Sequence, residues 1–357
     1  CADSDYALQL YNLINSWFDK YLPRHRWIIE NIESPTAIFV GLMKYNGVSV
    51  DKALMYQKQF DAGEKIIEIH REIKKFIGED IDIGANASTD AFKKYLYEDL
   101  KLPVLKTTTK YQAAADEESL ILLKDWCKEN KPDVLPLLDL IHEYRKWNKI
   151  KSTYIDGFID AVNRETDKIH TSFFQLGTDT GRFASRTPNL QTCPRKDNDP
   201  VGIRSFLKAS DGHIFVDFDF SQIELRVGSW YCRDKKMLET YLNDGDIHAQ
   251  TTSVIYNIPF EKAIDKNEPH YKERRAIAKN CNFGVFYGLF PNGLMRNLKK
   301  AGIEKTKTEC TEIIENLKNG YPMLSTWQDM TKNEAINTGY SETAFGRRRI
   351  LKGIYAP

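Results

Sequence analysis

No run in this sequence approaches the ~18 consecutive apolar residues that a membrane-spanning helix needs. The opening segment, CADSDYALQL, has neither the basic n-region nor the apolar core of a secretory signal. Charge of one sign is also missing, since 51 Lys and Arg stand against 50 Asp and Glu. With 41% hydrophobic residues, that balance excludes intrinsic disorder. Cysteine is sparse. Cys1, Cys127, Cys193, Cys232, Cys281 and Cys310 form no CxxC pair, which speaks against a zinc site or disulfide framework. Buried thiols in a reducing, intracellular compartment follow, whether bacterial, phage or organellar. There is no initiator Met, which fits an excised piece, and there is no internal repeat.

What is present is a chain of 357 residues, enough for two or three domains at about 150 residues each. Tyr6, Leu8, Leu10, Tyr11, Leu13, Ile14 and Phe18 predict a helix from residue 5, followed by an irregular passage through Pro23 and Pro35. Residues 51–77 predict one long helix, mildly broken at Gly63, and helices resume over 118–150 after a loop-like stretch. Past residue 165 the texture changes. His170–Phe174 and 213–219 (HIFVDFD) predict strands, 180–195 a loop, and 221–357 mostly helix. Helices, then strands, then helices again indicate an α+β protein with separate lobes.

The near-neutral total conceals clustered charge. At 142–154, HEYRKWNKIKSTY sets Arg145, Lys146, Lys149 and Lys151 among aromatics against the single acid Glu143, a pattern suited to backbone phosphates or to a solvated helix end. Residues 272–300 hold seven Lys/Arg and one Asp/Glu. Within them Arg275, Lys279, Phe283 and Tyr287 recur every four residues, one stripe over about 18 Å of helix. A core helix would not align two cations with two rings, and a solvated helix would not carry Phe283, Val285, Phe286 and Tyr287. The stripe suits a ligand with a triphosphate at one end and an aromatic base at the other.

Upstream, IFVDFDFSQIELR at 214–226 delivers Asp219 to the end of a strand, beside a helix start. That is a usual place for a hard cation such as Mg²⁺. Asp217 shares its face of the strand. Ser221 and Glu224 fit an S-x-x-E capping box.

DFSQIELR (219–226) and RAIAKNCNFGVFYG (275–288) resemble motifs A and B of family A DNA polymerases. TGRFASRTPNLQ (180–191) and DGDIH (244–248) resemble further segments of that family, in order and at its spacing. NGVSVD (46–51) and KIKSTY (149–154) are similar, more weakly, to its thumb. The resemblance implies a right-hand polymerase fold with helical thumb and fingers and an incomplete antiparallel palm sheet. Residues 1–45 would be the end of an exonuclease domain and the start of the polymerase domain, with Asp3 at a former metal carboxylate. Residues 46–160 would be the thumb, 161–235 the palm and 236–357 the fingers.

It also implies roles. Asp219 and the Phe220 carbonyl would hold two Mg²⁺ ions. Arg275 and Lys279 would grip the incoming triphosphate, with Lys279 the proton donor to pyrophosphate. Gln222 and His248 would lie near phosphates and sugar. Glu224 would gate against a 2′-hydroxyl, Phe283 would pack on sugar and base, and Tyr287 and Gly288 would close over the nascent pair. Arg182, Asn189 and Gln191 would touch primer-template DNA in the minor groove, with Gly288, Lys149 and Lys151 as further DNA contacts. Partners would be primer-template DNA and dNTPs, with no membrane.

One departure matters. The family's second metal carboxylate comes from a His-Asp-Glu motif C, and this sequence contains no such triplet. After residue 300 there is no His, and the only Asp is Asp329 in an amphipathic helix pattern. The expectation is therefore a truncated or split polymerase that needs motif C from a further segment or a second polypeptide. Rival readings are a catalytically silent nucleic-acid-binding relative and a single-subunit RNA polymerase, the latter disfavoured by Glu224.

Overall fold

The computed structural model describes residues 2–78, 81–84, 88–194 and 199–353, and the chain divides into two units, Cys1–Val216 and Asp217–Pro357. In the first unit, α1 (Ala2–Tyr21), α2 (Pro23–Ile28) and α3 (Ser34–Asn46) follow almost without interruption, one wide turn at Ile29–Glu33 separating the last two. The irregular passage predicted there is absent. Each proline instead occupies the first turn of a helix, where no intrahelical N–H is needed.

After β1 (Val48–Val50) comes α4 (Lys52–Ile77), started by the Asp51 carboxylate accepting the Leu54 N–H at 2.9 Å. Gly78, left-handed at φ 73°, ends it. The helix runs unbroken through Gly63. Met55, Ala62, Ile69 and Ile73 bury one face, and that packing outweighs the roughly 1 kcal/mol a mid-helix glycine costs. Helices α5 (Asp90–Lys94), α6 (Glu117–Asn130) and α7 (Leu135–Lys149) close over it, sharing a core of Ile69, Ile73, Phe92, Leu123 and Leu138.

Arg145 of α7 belongs to this packing rather than to a phosphate-facing surface. Its guanidinium is buried, donates to the Ala115 carbonyl and Ser88 hydroxyl at 2.9 Å each, and lies over the Phe92 ring. Helix α8 (Gly157–Asp160) precedes β2 (Lys168–Ile169), β3 (Ser172–Phe174), β4 (Ala184–Arg186) and β5 (Leu207–Lys208). β1 is the middle strand of an antiparallel sheet ordered β2-β1-β5, with Val48 opposite Ile169 and Val50 opposite Leu207. β3 and β4 pair separately.

The strand predicted over 213–219 does not form. Phe215 and Phe218 are 62% and 90% exposed, and no described strand pairs with the segment. Aromatic and β-branched residues favour a strand only against a neighbouring ladder, and the residues alone cannot make one.

In the second unit α9 (Ile223–Cys232), α10 (Lys235–Leu242), α11 (Ile247–Tyr256), α12 (Phe260–Ile264), α13 (Tyr271–Val285), α14 (Pro291–Lys300), α15 (Lys307–Gly320) and α16 (Pro322–Thr338) surround one core. Leu225, Ile247, Ile255, Ile277, Cys281, Leu294, Leu317 and Tyr321 are its centre. A hairpin, β6 (Tyr340–Glu342) and β7 (Arg348–Ile350), follows. The five cysteines within the described residues are buried and unpaired, and burial pushes the Cys281 thiol up to about 12. Cys1 lies outside those residues. No helix of the described residues is long and apolar enough to cross a membrane.

Gly228 sets how closely α9 approaches the end of α13. A Cβ there would lie 2.4 Å from Cε1 of Phe286, a ring that also meets Trp327 edge-on. Gly228→Ala must push the two elements apart, and a loss of about 1–3 kcal/mol is expected in denaturant unfolding. An unchanged midpoint would show that the ring moves aside freely.

Candidate nucleotide site

The site in the second unit is assembled from α9, α11 and α13. Arg275, Lys279 and Phe283 lie on α13 as predicted, whereas Tyr287 lies beyond its end, in the turn that the Gly284 carbonyl holds through the Tyr287 N–H at 3.0 Å. Gly288 follows at φ 70°, a left-handed conformation that costs glycine nothing. The stripe is open to solvent at Lys279, Phe283 and Tyr287, with Phe283 48% and Tyr287 71% exposed. An exposed ring one turn beyond an exposed cation is the opposite of a core face.

Arg275 is half-buried and committed. It pairs with Asp246 at 2.7 Å. Asp246 also caps α11, its carboxylate accepting the His248 and Ala249 N–H groups at 2.9 and 3.2 Å. Burial drives the Asp246 pKa upward, and the Arg275 bond with the two backbone amides overrides it, holding the carboxyl below its ordinary value. Any anion approaching Arg275 therefore competes with an acid, whereas Lys279 forms no ion pair among the described residues.

Glu224 is not the N3 residue of a capping box. The N-cap of α9 is Gln222, left-handed at φ 51°, so the helix starts one residue later than the S-x-x-E pattern requires. The Ser221 carbonyl instead accepts from Arg226 Nε at 3.0 Å. The Glu224 carboxylate accepts the Tyr287 hydroxyl at 3.0 Å, tying the start of α9 to the turn after α13. Gln222 Oε1 accepts the Tyr241 hydroxyl at 3.2 Å, and Tyr241 in turn supports the Arg226 guanidinium 4.6 Å above its ring.

His248 lies behind the stripe, its ring 6.4 Å from that of Phe283. Its Nδ1 faces the Asn282 amide at 2.8 Å. Burial lowers its pKa, Asp246 opposes this, and Arg275 and Lys279 lower it further, which favours the neutral ring. The sequence reading did not single out Asn282, Thr251, Tyr321, Asp246 or Tyr241 as site residues. An Asp before I-H-A at a helix start was the one signal available, for Asp246.

Asp219, Asp217 and Phe220 lie in the exposed segment leading to α9. Among the described residues no group of three or more metal-ligating side chains gathers. An open carboxylate beside a backbone carbonyl still fits Mg²⁺, which is held by one or two carboxylates together with substrate phosphates rather than by an all-protein cage.

The remaining DNA-contact candidates belong to the first unit. Arg182, Asn189, Gln191 and Lys149 are exposed. The Asn189 carboxamide oxygen is used locally, accepting the Ser185 hydroxyl at 2.8 Å and the Gln191 N–H at 3.1 Å. Lys151 pairs with Asp156 at 2.9 Å, and Asp156 also accepts from Gln59 at 2.7 Å.

Mostly helical with small antiparallel ladders, the chain is an α+β protein, and its fold is of the polymerase class by its likeness to the solved structure below. The model of DNA polymerase family A matches residues 52–357. DNA polymerase I of Caldicellulosiruptor bescii is 33% identical over 329 residues, covering 92% of this chain and 36% of that protein. The thermostable DNA polymerase I of Thermus aquaticus is 31% identical over 332 residues, covering 92% and 37%. A solved structure described as the POL domain of Pol1 from M. smegmatis in complex with DNA primer-template and dNTP is similar with a TM-score of 0.74 at 25% identity, over 91% of this chain and 53% of that one. The chain belongs to DNA polymerase family A. It spans about a third of the length of these curated relatives.

Proposed function

We propose that this chain is the nucleotide-selecting part of a template-directed DNA polymerase, adding deoxynucleotides to a primer 3′ end. One observation carries the reading: Lys279 and Phe283 stand exposed on one side of α13, and Tyr287, exposed in the turn beyond it, is clasped by Glu224 at 3.0 Å. Lys279, joined by Arg275 once Asp246 is displaced, neutralises charge that develops on the triphosphate in phosphoryl transfer. Phe283 offers a stacking face to sugar and base. Glu224 fills the space a 2′-hydroxyl would need. Mg²⁺ bound through Asp219 and the Phe220 carbonyl would supply further neutralisation of the phosphates and activate the primer oxygen.

In the first unit, Arg182, Asn189 and Gln191 suit the minor groove, whose acceptors are common to all base pairs and allow sequence-independent contact. Lys149, and Lys151 after leaving Asp156, suit backbone phosphates. Residues 46–160 serve as thumb, 161–235 as palm and 236–357 as fingers. The second metal carboxylate comes from a His-Asp-Glu segment, on the same polypeptide or on another.

Two assays on the 357-residue chain test this. Salt-dependent binding of primer-template DNA and binding of deoxynucleoside triphosphate are expected, with no primer extension in Mg²⁺ until the His-Asp-Glu segment is added. DNA binding with no triphosphate binding would instead favour a catalytically silent relative. Robust extension by residues 1–357 alone would refute the need for a second acid.

A further inference from the structure

Asn282 is fully buried on α13, one residue before Phe283, yet it faces away from the open stripe. Its carboxamide joins a chain of polar groups that links three helices. The hydroxyls of Tyr321, at the start of α16, and Thr251 of α11 lie 3.0 Å apart. Thr251 Oγ1 donates to Asn282 Oδ1 at 2.8 Å, and Asn282 Nδ2 lies 2.8 Å from Nδ1 of His248. Asn282, Thr251 and Tyr321 are all 0% exposed. Every polar atom in such a buried chain needs a partner, so its direction propagates from one end to the other.

With Thr251 donating to Oδ1, the Asn282 NH₂ must donate to His248. An amide nitrogen accepts nothing, so Nδ1 is bare and the single proton of the neutral ring sits on Nε2. Among the described residues Nε2 has no hydrogen-bond partner. It is the one polar side-chain atom of His248 left to serve the stripe.

We propose that Asn282 is a positioning residue: it holds His248 in the Nε2–H tautomer, so that the imidazole donates a hydrogen bond to phosphate oxygens of the bound nucleotide. This rests on the nucleotide reading above. The charged groups facing His248 are Asp246 at the start of α11 and Arg275 and Lys279 on α13. With two cations close by, a neutral donor adds a directed hydrogen bond without adding a third mutually repelling charge. The competing arrangement is the inverted amide, with Oδ1 accepting from a protonated Nδ1 and Nε2 left as an acceptor that would repel phosphate.

The experiment is long-range ¹H–¹⁵N NMR of the ¹⁵N-histidine-labelled 357-residue chain at pH 7, read beside binding of a deoxynucleoside triphosphate. The expected wild-type spectrum shows His248 with an unprotonated Nδ1 and a protonated Nε2. Asn282→Asp, nearly isosteric, replaces the donor by an acceptor. It should move the proton to Nδ1 or add a second one, weaken triphosphate binding about tenfold at high pH, the loss of one charge-assisted hydrogen bond, and make binding pH-dependent near neutrality. Asn282→Gln should recover part of the affinity. A protonated Nδ1 in the wild-type spectrum would overturn the proposal, and this measurement needs no variant to fold. So would an Asn282→Asp protein with an altered tautomer and unaltered affinity. A wild-type chain with the expected tautomer but no triphosphate binding would overturn the nucleotide reading and leave the tautomer assignment standing.

Discussion

Lys279→Ala is expected to slow nucleotide addition roughly 10²–10³-fold, the range found when one preorganised electrostatic group is removed from a transition state. The structure concentrates this effect on Lys279. Arg275 is paired with Asp246 at 2.7 Å and must exchange that partner for phosphate, while Lys279 stands exposed with no ion pair among the described residues. About a third of each partner's side chain stays open to water, which screens the pair and lets Arg275 be drawn away, but its net contribution is smaller for having an acid to leave. Single-turnover incorporation, with the His-Asp-Glu segment supplied, separates the cases. The expected outcome is a fall in kcat with little change in KM, and Lys279→Arg should retain most of the rate. A raised KM at unchanged kcat would mean that Lys279 binds ground state and transition state alike.

Glu224→Ala is expected to admit ribonucleotides, lowering the preference for deoxyribose by about 10²-fold or more, because the excluded hydroxyl then meets open space instead of a buttressed carboxylate. The buttress is the Tyr287 hydroxyl, 3.0 Å from the carboxylate. Tyr287→Phe keeps the acid and loses that bond, and an intermediate loss of discrimination should follow. The measurement is the ratio of incorporation efficiencies for matched ribo- and deoxynucleotides. A ratio unmoved by Glu224→Ala would remove Glu224 from sugar selection and reopen the RNA polymerase reading.

Local chemistry was readable where a short segment determines its own conformation. Helix α4 falls where the 51–77 pattern predicts it, because the Asp51 cap and left-handed Gly78 that delimit it act within a few residues. The stripe on α13 was legible for the same reason: spacing by four places Arg275, Lys279 and Phe283 on one side of any helix. Reading failed where the answer lay in a distant partner. HIFVDFD has strand composition, but a ladder needs a second strand and none of the described residues supplies it. Ser221 and Glu224 have capping-box spacing, yet the helix starts at Ile223 and Glu224 turns to Tyr287, 63 residues on. Arg145 looked like one more surface cation until α5 and its neighbouring loops closed over it.

The sequence by itself determined the chemical inventory: an acid ahead of one helix, a cation–aromatic row on another, and the motifs that match DNA polymerase family A. Those are properties of order and spacing, and helical geometry converts them directly into faces. The tertiary structure alone decided which of those groups are already engaged. Pairing Arg275 with Asp246, turning Glu224 to Tyr287 and threading Tyr321, Thr251, Asn282 and His248 into one buried chain all depend on helices far apart in sequence meeting at hydrogen-bond distance. A hydrogen bond is lost within about an ångström of displacement, so no pattern along the chain could have specified these contacts before the core had packed.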